Sequence, residues 1–366
     1  MSGEIKQNQK AGDNSQQTQI QNLTIINGID EKRAREIFSE MYAVAKTDLT
    51  SEAINTANER IKNFENVLIP KMEKINGALN AFADPSFQVL LAKANKSAAC
   101  SNQDSDYELL SQLLIHRVEK NDSRKDKAGI NRAVEIVDQI TEEALNALTV
   151  FFAIEKYDPN ASTLTQGLNI LDNLYNKLPI RNLPSNNDWI EELDILDAVR
   201  FSTLTTLKKL EQYWSEKYEG FISAGIKVGT ENFKKVMTEI EKTSIPASIL
   251  KPNILLEDYF LLPVINKYAI NDLQFINQNG AITQFIPFSE EQKECLRNAY
   301  DLYDKDSEII NKVKENFSKE LDNYDNIKIA RGFWNRIPYA INVTSVGRVL
   351  AHANSKRFDS TLPDFN

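Results

Sequence analysis

A chain of 366 residues, 42% hydrophobic and 26% charged, is long enough for a sizeable core and, by length, for two or three domains. Its net charge of −9 excludes a general nucleic-acid or anionic-membrane coat, which needs an excess of Lys and Arg, local basic patches excepted. No run approaches the roughly 20 apolar residues of a bilayer span, and residues 1–20 carry no apolar leader; with Cys100 and Cys295 far apart and in no metal spacing, a cytoplasmic protein with two reduced thiols is expected.

Residues 1–15 read as a polar lead that ends in a Gly12-Asp13-Asn14-Ser15 turn. From Gln16 the pattern alternates. Gln17, Gln19, Gln21, Leu23 and Ile25 share one face and Ile20 falls on the other, a strand that Asn27-Gly28 stops. At Asp30 the period becomes helical, with Ala34, Ile37, Phe38, Met41 and Ala45 on one stripe. Ile54 to Phe82 continues as a narrow seam suited to long helix pairing, kinked or split at Pro70 and ended at Asp84-Pro85. Ser105 and Glu108 have capping-box spacing before a helix that runs to Val118, and the charged residues 119–127 read as a loop. Helical patterns follow at 130–137, 145–152 and 164–175. Pro179 and Pro184 mark a linker, a helical run goes from Trp189 to about Tyr218, and another helix spans about 230–243.

Near 245 the texture shifts, with Pro246, Pro252, Pro263 and Pro287 in quick succession. Residues 281–288 read as a short strand. Ser289 and Gln292 form a second capping box before a helix to about Tyr303, and Ile310, Val313, Phe317 and Leu321 mark one more. Residues 327–343 read as two short strands around Arg331-Gly332, Thr344 caps a final helix, and the tail beyond it reads as loose. The predicted fold is mainly α: an N-terminal β arm over 1–28, a helical domain over 29–245, and a small α+β module over 246–366 with a winged-helix-like outline. No repeat of solenoid period is present.

The polar strand is the first candidate site. A lone strand is marginal in water, and one made largely of Gln and Thr gains little from burial in a helical body. Pairing with the same strand of other subunits would satisfy it and let Gln side chains form ladders. A polar tail, or docking on the chain's own helices, are the alternatives. The second candidate is the C-terminal basic stretch. Between Asn326 and Phe358 there is no Asp or Glu, and Lys328, Arg331, Arg336, Arg348, Lys356 and Arg357 carry +6, with Phe333, Trp334 and Tyr339 interleaved. The ordinary reading pairs these charges with acidic helices of the same protein or a neighbour. The functional reading uses them, with Trp334, for phosphate contact and base stacking, and the Thr344–Gly347 helix start for an anion.

Asp104, Asp106 and Glu108 alternate as metal ligands sometimes do, but acids favour the first turn of a helix, and a helix would spread the three around its axis. His116 and His352 each flank an apolar stripe or end a helix, with no second ligand at metal spacing and no nucleophile motif beside them, so both read as structural. Arg117, Lys120, Arg124, Lys125, Lys127 and Arg132 outnumber Glu119, Asp122 and Asp126, which reads as a solvated face. Gly-rich phosphate loops are absent, and no metal or cofactor is expected.

The segments AGDNSQQTQIQNLTIINGIDEKRAREI (11–37), DYELLSQLLIHRVEK (106–120) and TSVGRVLAHANSKR (344–357) resemble an all-helical bacterial family. In it a Gly-Asp-Asn-Ser turn and a Gln-alternating strand precede a helix that opens on Ile-Asp-Glu-Lys. The resemblance implies a bacterial conflict or phage-defence setting by association, and no particular chemistry. The expected function is an oligomeric interaction or sensor protein whose partner is itself, together with a protein or nucleic-acid ligand. The alternative is an enzyme acting on nucleic acid or nucleotides through residues that meet only in the fold.

Overall fold

Asp30 accepts a hydrogen bond from the Arg33 backbone N–H at 2.8 Å, and the helical stripe behind it forms α1 (Glu31–Ala45). The structure is a computed structural model that describes residues 29–45, 51–119, 124–279 and 282–363. The alternating segment with Gln17, Gln19, Ile20, Gln21, Leu23 and Ile25 lies outside the described residues.

The seam after residue 54 forms α2 (Ser51–Glu73), which runs through Pro70 without ending there. Gly77, at φ 75°, takes the left-handed conformation that a Cβ disfavours, and turns the chain into the short 3-10 segment Ala78–Ala83. Asp84-Pro85 is not only a stop. The Asp84 carboxylate accepts from Phe87 N at 2.9 Å and Pro85 takes the first helical position of α3 (Pro85–Cys100), a helix absent from the sequence reading. The expected capping box at Ser105 does not form, because α4 (Asp104–Glu119) already starts at Asp104 and Glu108 pairs with Lys71 instead. The loop expected over 119–127 gives way at Arg124, where α5 (Arg124–Ile136) begins.

In α6 (Glu142–Lys156), capped by Thr141, every residue from Ala144 to Ile154 is buried, so this helix is core on all sides. α7 (Leu164–Lys177) buries one stripe and is capped by Thr163. The helical run expected from Trp189 breaks into α8 (Asp188–Ile195), β1 (Val199–Ser202) and α9 (Leu210–Lys217). A small three-stranded sheet follows, with β2 (Ile226–Lys227), β4 (Tyr259–Leu261) and β3 (Lys251–Pro252) side by side. Beside it lie α10 (Glu231–Lys242), the hairpin of β5 (Gln274–Asn279) and β6 (Ile282–Pro287), and α11 (Glu290–Asp301) with its Ser289–Gln292 capping box intact.

α12 (Ser307–Glu320) forms as the spacing indicates. The two strands expected over 327–343 do not: residues 325–334 are α13 (Asp325–Trp334), and β7 (Ala340–Val343) alone is extended, antiparallel to β1. Ile327, Ala330, Phe333 and Trp334 lie on one buried helical face, and tertiary burial outweighs the β-propensity of that run. Thr344 then caps α14 (Ser345–Phe358). The tail is not loose through its described part: Leu362 is buried, and the Pro363 carbonyl lies 3.1 Å from His352 Nε2.

Two hydrophobic clusters result. The smaller draws on residues between Ile226 and Tyr303. The larger holds α1 to α9, and α12, α13 and α14 return to it. α14 lies against α4, α5 and α6, so the last helix is set among helices from the first half of the chain. Asn354 Nδ2 donates to Thr149 Oγ1 at 2.8 Å inside that contact, which satisfies both buried groups.

Candidate functional site

The helices carrying two of the three resembling segments, α4 and α14, are packed neighbours. Their contact brings together the chain's two histidines. The His116 and His352 rings lie 5.7 Å apart, centroid to centroid, tilted by 53°. Both side chains are buried. A carbonyl oxygen can only accept, so His352 Nε2 donates to Pro363 O and carries hydrogen; Nδ1 then accepts in the neutral ring and donates in the imidazolium.

The pair lines a cavity of about 260 Å³. α2 and the turn after it contribute Lys71 and Lys74, α4 contributes His116 and Glu119, and α14 contributes His352 and Lys356. Three lysines face one carboxylate among the described residues lining this space. Lys71 is held by the Glu108 carboxylate, which fixes its position at the edge. The arrangement has the chemistry of a small anion site: several N–H donors, two imidazoles and a cationic excess.

The other predicted site residues disperse. Lys328 and Arg336 are exposed on and just after α13. Arg331 is tied to Asp322, to Glu211 at 3.6 Å and to the Ser318 carbonyl at 3.0 Å. Trp334 is 2% exposed, stacked between Phe151 at 5.0 Å and Tyr213 at 5.1 Å, with Nε1 donating to the Lys208 carbonyl. Both faces of its ring are covered. Arg348 turns its Nε back toward the Thr344 carbonyl at 3.4 Å. The start of α14 is covered as well: Thr344 Oγ1 accepts from Gly347 N at 3.2 Å and donates to the Asp197 carbonyl at 2.6 Å. Lys356 enters the histidine cavity, and its neighbour Arg357 enters a second one.

Asp104, Asp106 and Glu108 do not converge. Asp106 accepts from the Ser101 hydroxyl and Glu108 reaches Lys71. Among the described residues no group of three or more His, Cys, Asp or Glu is placed to hold a metal ion. In the charged segment, Arg117 donates to Ser86 Oγ, Arg132 lies 3.7 Å from both Glu135 and Asp197, and Arg124 and Lys125 are exposed on α5. Lys120 lies outside the described residues. No helix among the described residues is long and apolar enough to cross a membrane.

Fold and site together define a mainly helical protein with ligand-sized cavities flanking its last helix. Residues 28–365 match the model of a protein family described only as ":-like", and the chain belongs to that family. Among curated proteins and solved structures, none matches.

Proposed function

We propose that the chain is an interaction protein of the sensor or adaptor type, and that it responds to a small anion bound between α2, α4 and α14. The observation that supports this most is the convergence of Lys71, Lys74 and Lys356 with His116 and His352 on one cavity. At about 260 Å³ the space lies just below the roughly 300 Å³ at which drug-sized pockets begin, so it suits a phosphate or a small carboxylate rather than a dinucleotide. A ligand there would touch helices from both ends of the chain and bias their packing, which is what a sensor needs. In the same reading, residues 1–28 join copies through Gln17, Gln19, Ile20, Gln21, Leu23 and Ile25, and several weak sites act with avidity. Phage defence in a bacterial cytoplasm is the proposed setting, on the strength of the resembling segments.

Two measurements test the two halves. Calorimetric titration with phosphate, citrate and acetate should give saturable heat that weakens with salt and is lost in Lys356→Glu; no heat from any of the three overturns the anion site. Light scattering of the intact chain beside a 1–28 deletion should show an oligomer reduced to monomer with its helical circular dichroism retained. An unchanged mass removes the arm from the proposal.

The enzyme reading draws on one observation. The His352 ring is oriented by Pro363 beside a second imidazole and lysines, as a proton-transferring histidine must be. Nucleotide turnover that vanishes in His352→Gln would favour it over simple binding.

A further inference from the structure

Across α14 from the histidine pair lies a second cavity of about 330 Å³, and Arg357 lines it where Lys356 lines the first. Its walls come from the start of α4, the turn between α5 and α6, and the end of α14. Three carboxylates face it, Asp106, Asp138 and Glu142, against one guanidinium.

These opposite charges share a cavity without touching. Arg357 donates to Asn354 Oδ1 at 2.6 Å and sits 5.6 Å from the Phe358 ring, and among the described residues it forms no ion pair. Asp106 accepts from the Ser101 hydroxyl and Asp138 from the Ser97 hydroxyl at 2.9 Å. The environment is partly desolvated. Burial pulls the Arg357 guanidinium below its ordinary value, against the attraction of Glu108, Asp106 and Glu142. Burial likewise pushes the Asp106 carboxyl up, against the Ser101 hydrogen bond and the Arg357 charge. A half-buried guanidinium has five N–H donors, and Asn354 uses one of those available.

A simple anion entering this space would reach Arg357 only beside three carboxylates. A simple cation would leave Arg357 facing a second positive charge. A molecule that carries both charges a few bonds apart satisfies both walls. We propose that this cavity binds a small zwitterion of the free α-amino-acid class, its carboxylate on Arg357 and its ammonium among Asp106, Asp138 and Glu142. The volume, at the small end of ligand cavities, suits a single amino acid. This site is separate from the anion site and does not depend on it.

Cys100 supplies a readout independent of heat. It lines the same cavity and is exposed, whereas Cys295 is buried. The test is calorimetric titration of the full chain with each of the common free amino acids, alongside the rate of Cys100 alkylation by a maleimide. At least one amino acid should bind and slow the alkylation. Its carboxamide and its N-acetyl derivative, each lacking one of the two charges, should bind roughly tenfold weaker or worse, as should the parent amino acid to Arg357→Gln. Should Arg357→Gln fail to fold, the derivatives decide the matter on the wild-type chain, and Arg357→Lys, which keeps the charge and loses the fork, should retain part of the affinity. No binding by any free amino acid, or carboxamide binding equal to that of the parent, overturns the proposal.

Discussion

Lys177 at the end of α7 donates to Asp359 Oδ2 at 2.7 Å, and this contact anchors the chain just beyond α14. The lysine side chain is half exposed while the carboxylate is buried. Together with the Thr361 hydroxyl and backbone N–H, the ammonium holds the Asp359 carboxyl down to about 2, against roughly 3.9 in an unfolded chain. A depressed carboxylate contributes stability that is fully present above the unfolded value and disappears as pH falls through the folded one. The contribution should therefore be constant above about pH 5 and fade between about pH 4 and pH 2. Thermal unfolding midpoints measured from pH 2 to pH 7 should show Asp359→Asn less stable than wild type at neutral pH, with the two curves converging in acid. Parallel curves would mean that Lys177 does not hold Asp359 in solution.

Asp172 supplies a cap that the sequence of α13 lacks. Its Oδ1 accepts from Asn326 N at 2.9 Å and Ile327 N at 3.1 Å, and Oδ2 accepts from Asn326 Nδ2 at 3.0 Å, while the Tyr324 side chain at the cap position makes no capping bond to the helix. Asp172→Ala leaves those N–H groups without their acceptor and should cost about 1–2 kcal/mol, the usual worth of a cap. Asp172→Asn keeps an acceptor, loses the charge at a helix start, and should cost less. Urea unfolding at constant m-value measures both; equal losses for the two variants would show that charge alone matters.

Gly347 fits where no side chain can. A Cβ built on it would come within 2.0 Å of the Ala198 carbonyl oxygen, so the first turn of α14 rests directly on the backbone that leads into β1. The Ala198 carbonyl also accepts from Thr344 N at 3.0 Å, so the clash would break a bond that positions the helix. Overpacking against a side chain costs ~1–3 kcal/mol, and a backbone neighbour yields less readily, so Gly347→Ala should destabilise by about 3 kcal/mol or more. A thermal midpoint within a degree or so of wild type would contradict this packing.

Helices whose stripe and cap lie within one window were legible from residues alone: Asp30, Thr344 and the Ser289–Gln292 pair each begin a helix where spacing puts it. The failures have physical causes. Pro85 reads as a terminator because it lacks an N–H, yet the first helical position needs none. Ile327 and Ile329 favour strands locally, and only the burial of Ala330, Phe333 and Trp334 on one face makes that run helical. β1 was hidden because its partner, β7, lies far along the chain. The approach of the two histidines was hidden for the same reason. His116 and His352 lie on separate helices, and nothing inside either helix encodes their contact. The charge of Lys356 is legible in the sequence, but its setting beside Lys71 and Lys74 depends on the packing of α14 on α4.

Trp334 gives a sharp test of whether the basic stretch stacks on bases. Its ring is parallel to Phe151 within 9° and to Tyr213 within 23°, and its Nε1 donates to Lys208 O at 2.9 Å. A base could reach it only by displacing one of those rings, at the cost of an aromatic pair and its buried area. Trp334→Ala should therefore act as a core mutation and destabilise by roughly 3–5 kcal/mol, and Trp334→Phe, which keeps much of the stack and loses the Nε1 bond, by less. Tryptophan emission should be blue-shifted, because Trp189 and Trp214 are buried too, and single-stranded oligonucleotides should leave it unquenched. Quenching that is absent from Trp334→Phe would place Trp334 at a nucleic-acid surface and require the sandwich to open. Undisturbed emission with a large loss of stability in Trp334→Ala assigns the residue to the core, where it joins α13 to α6 and α9.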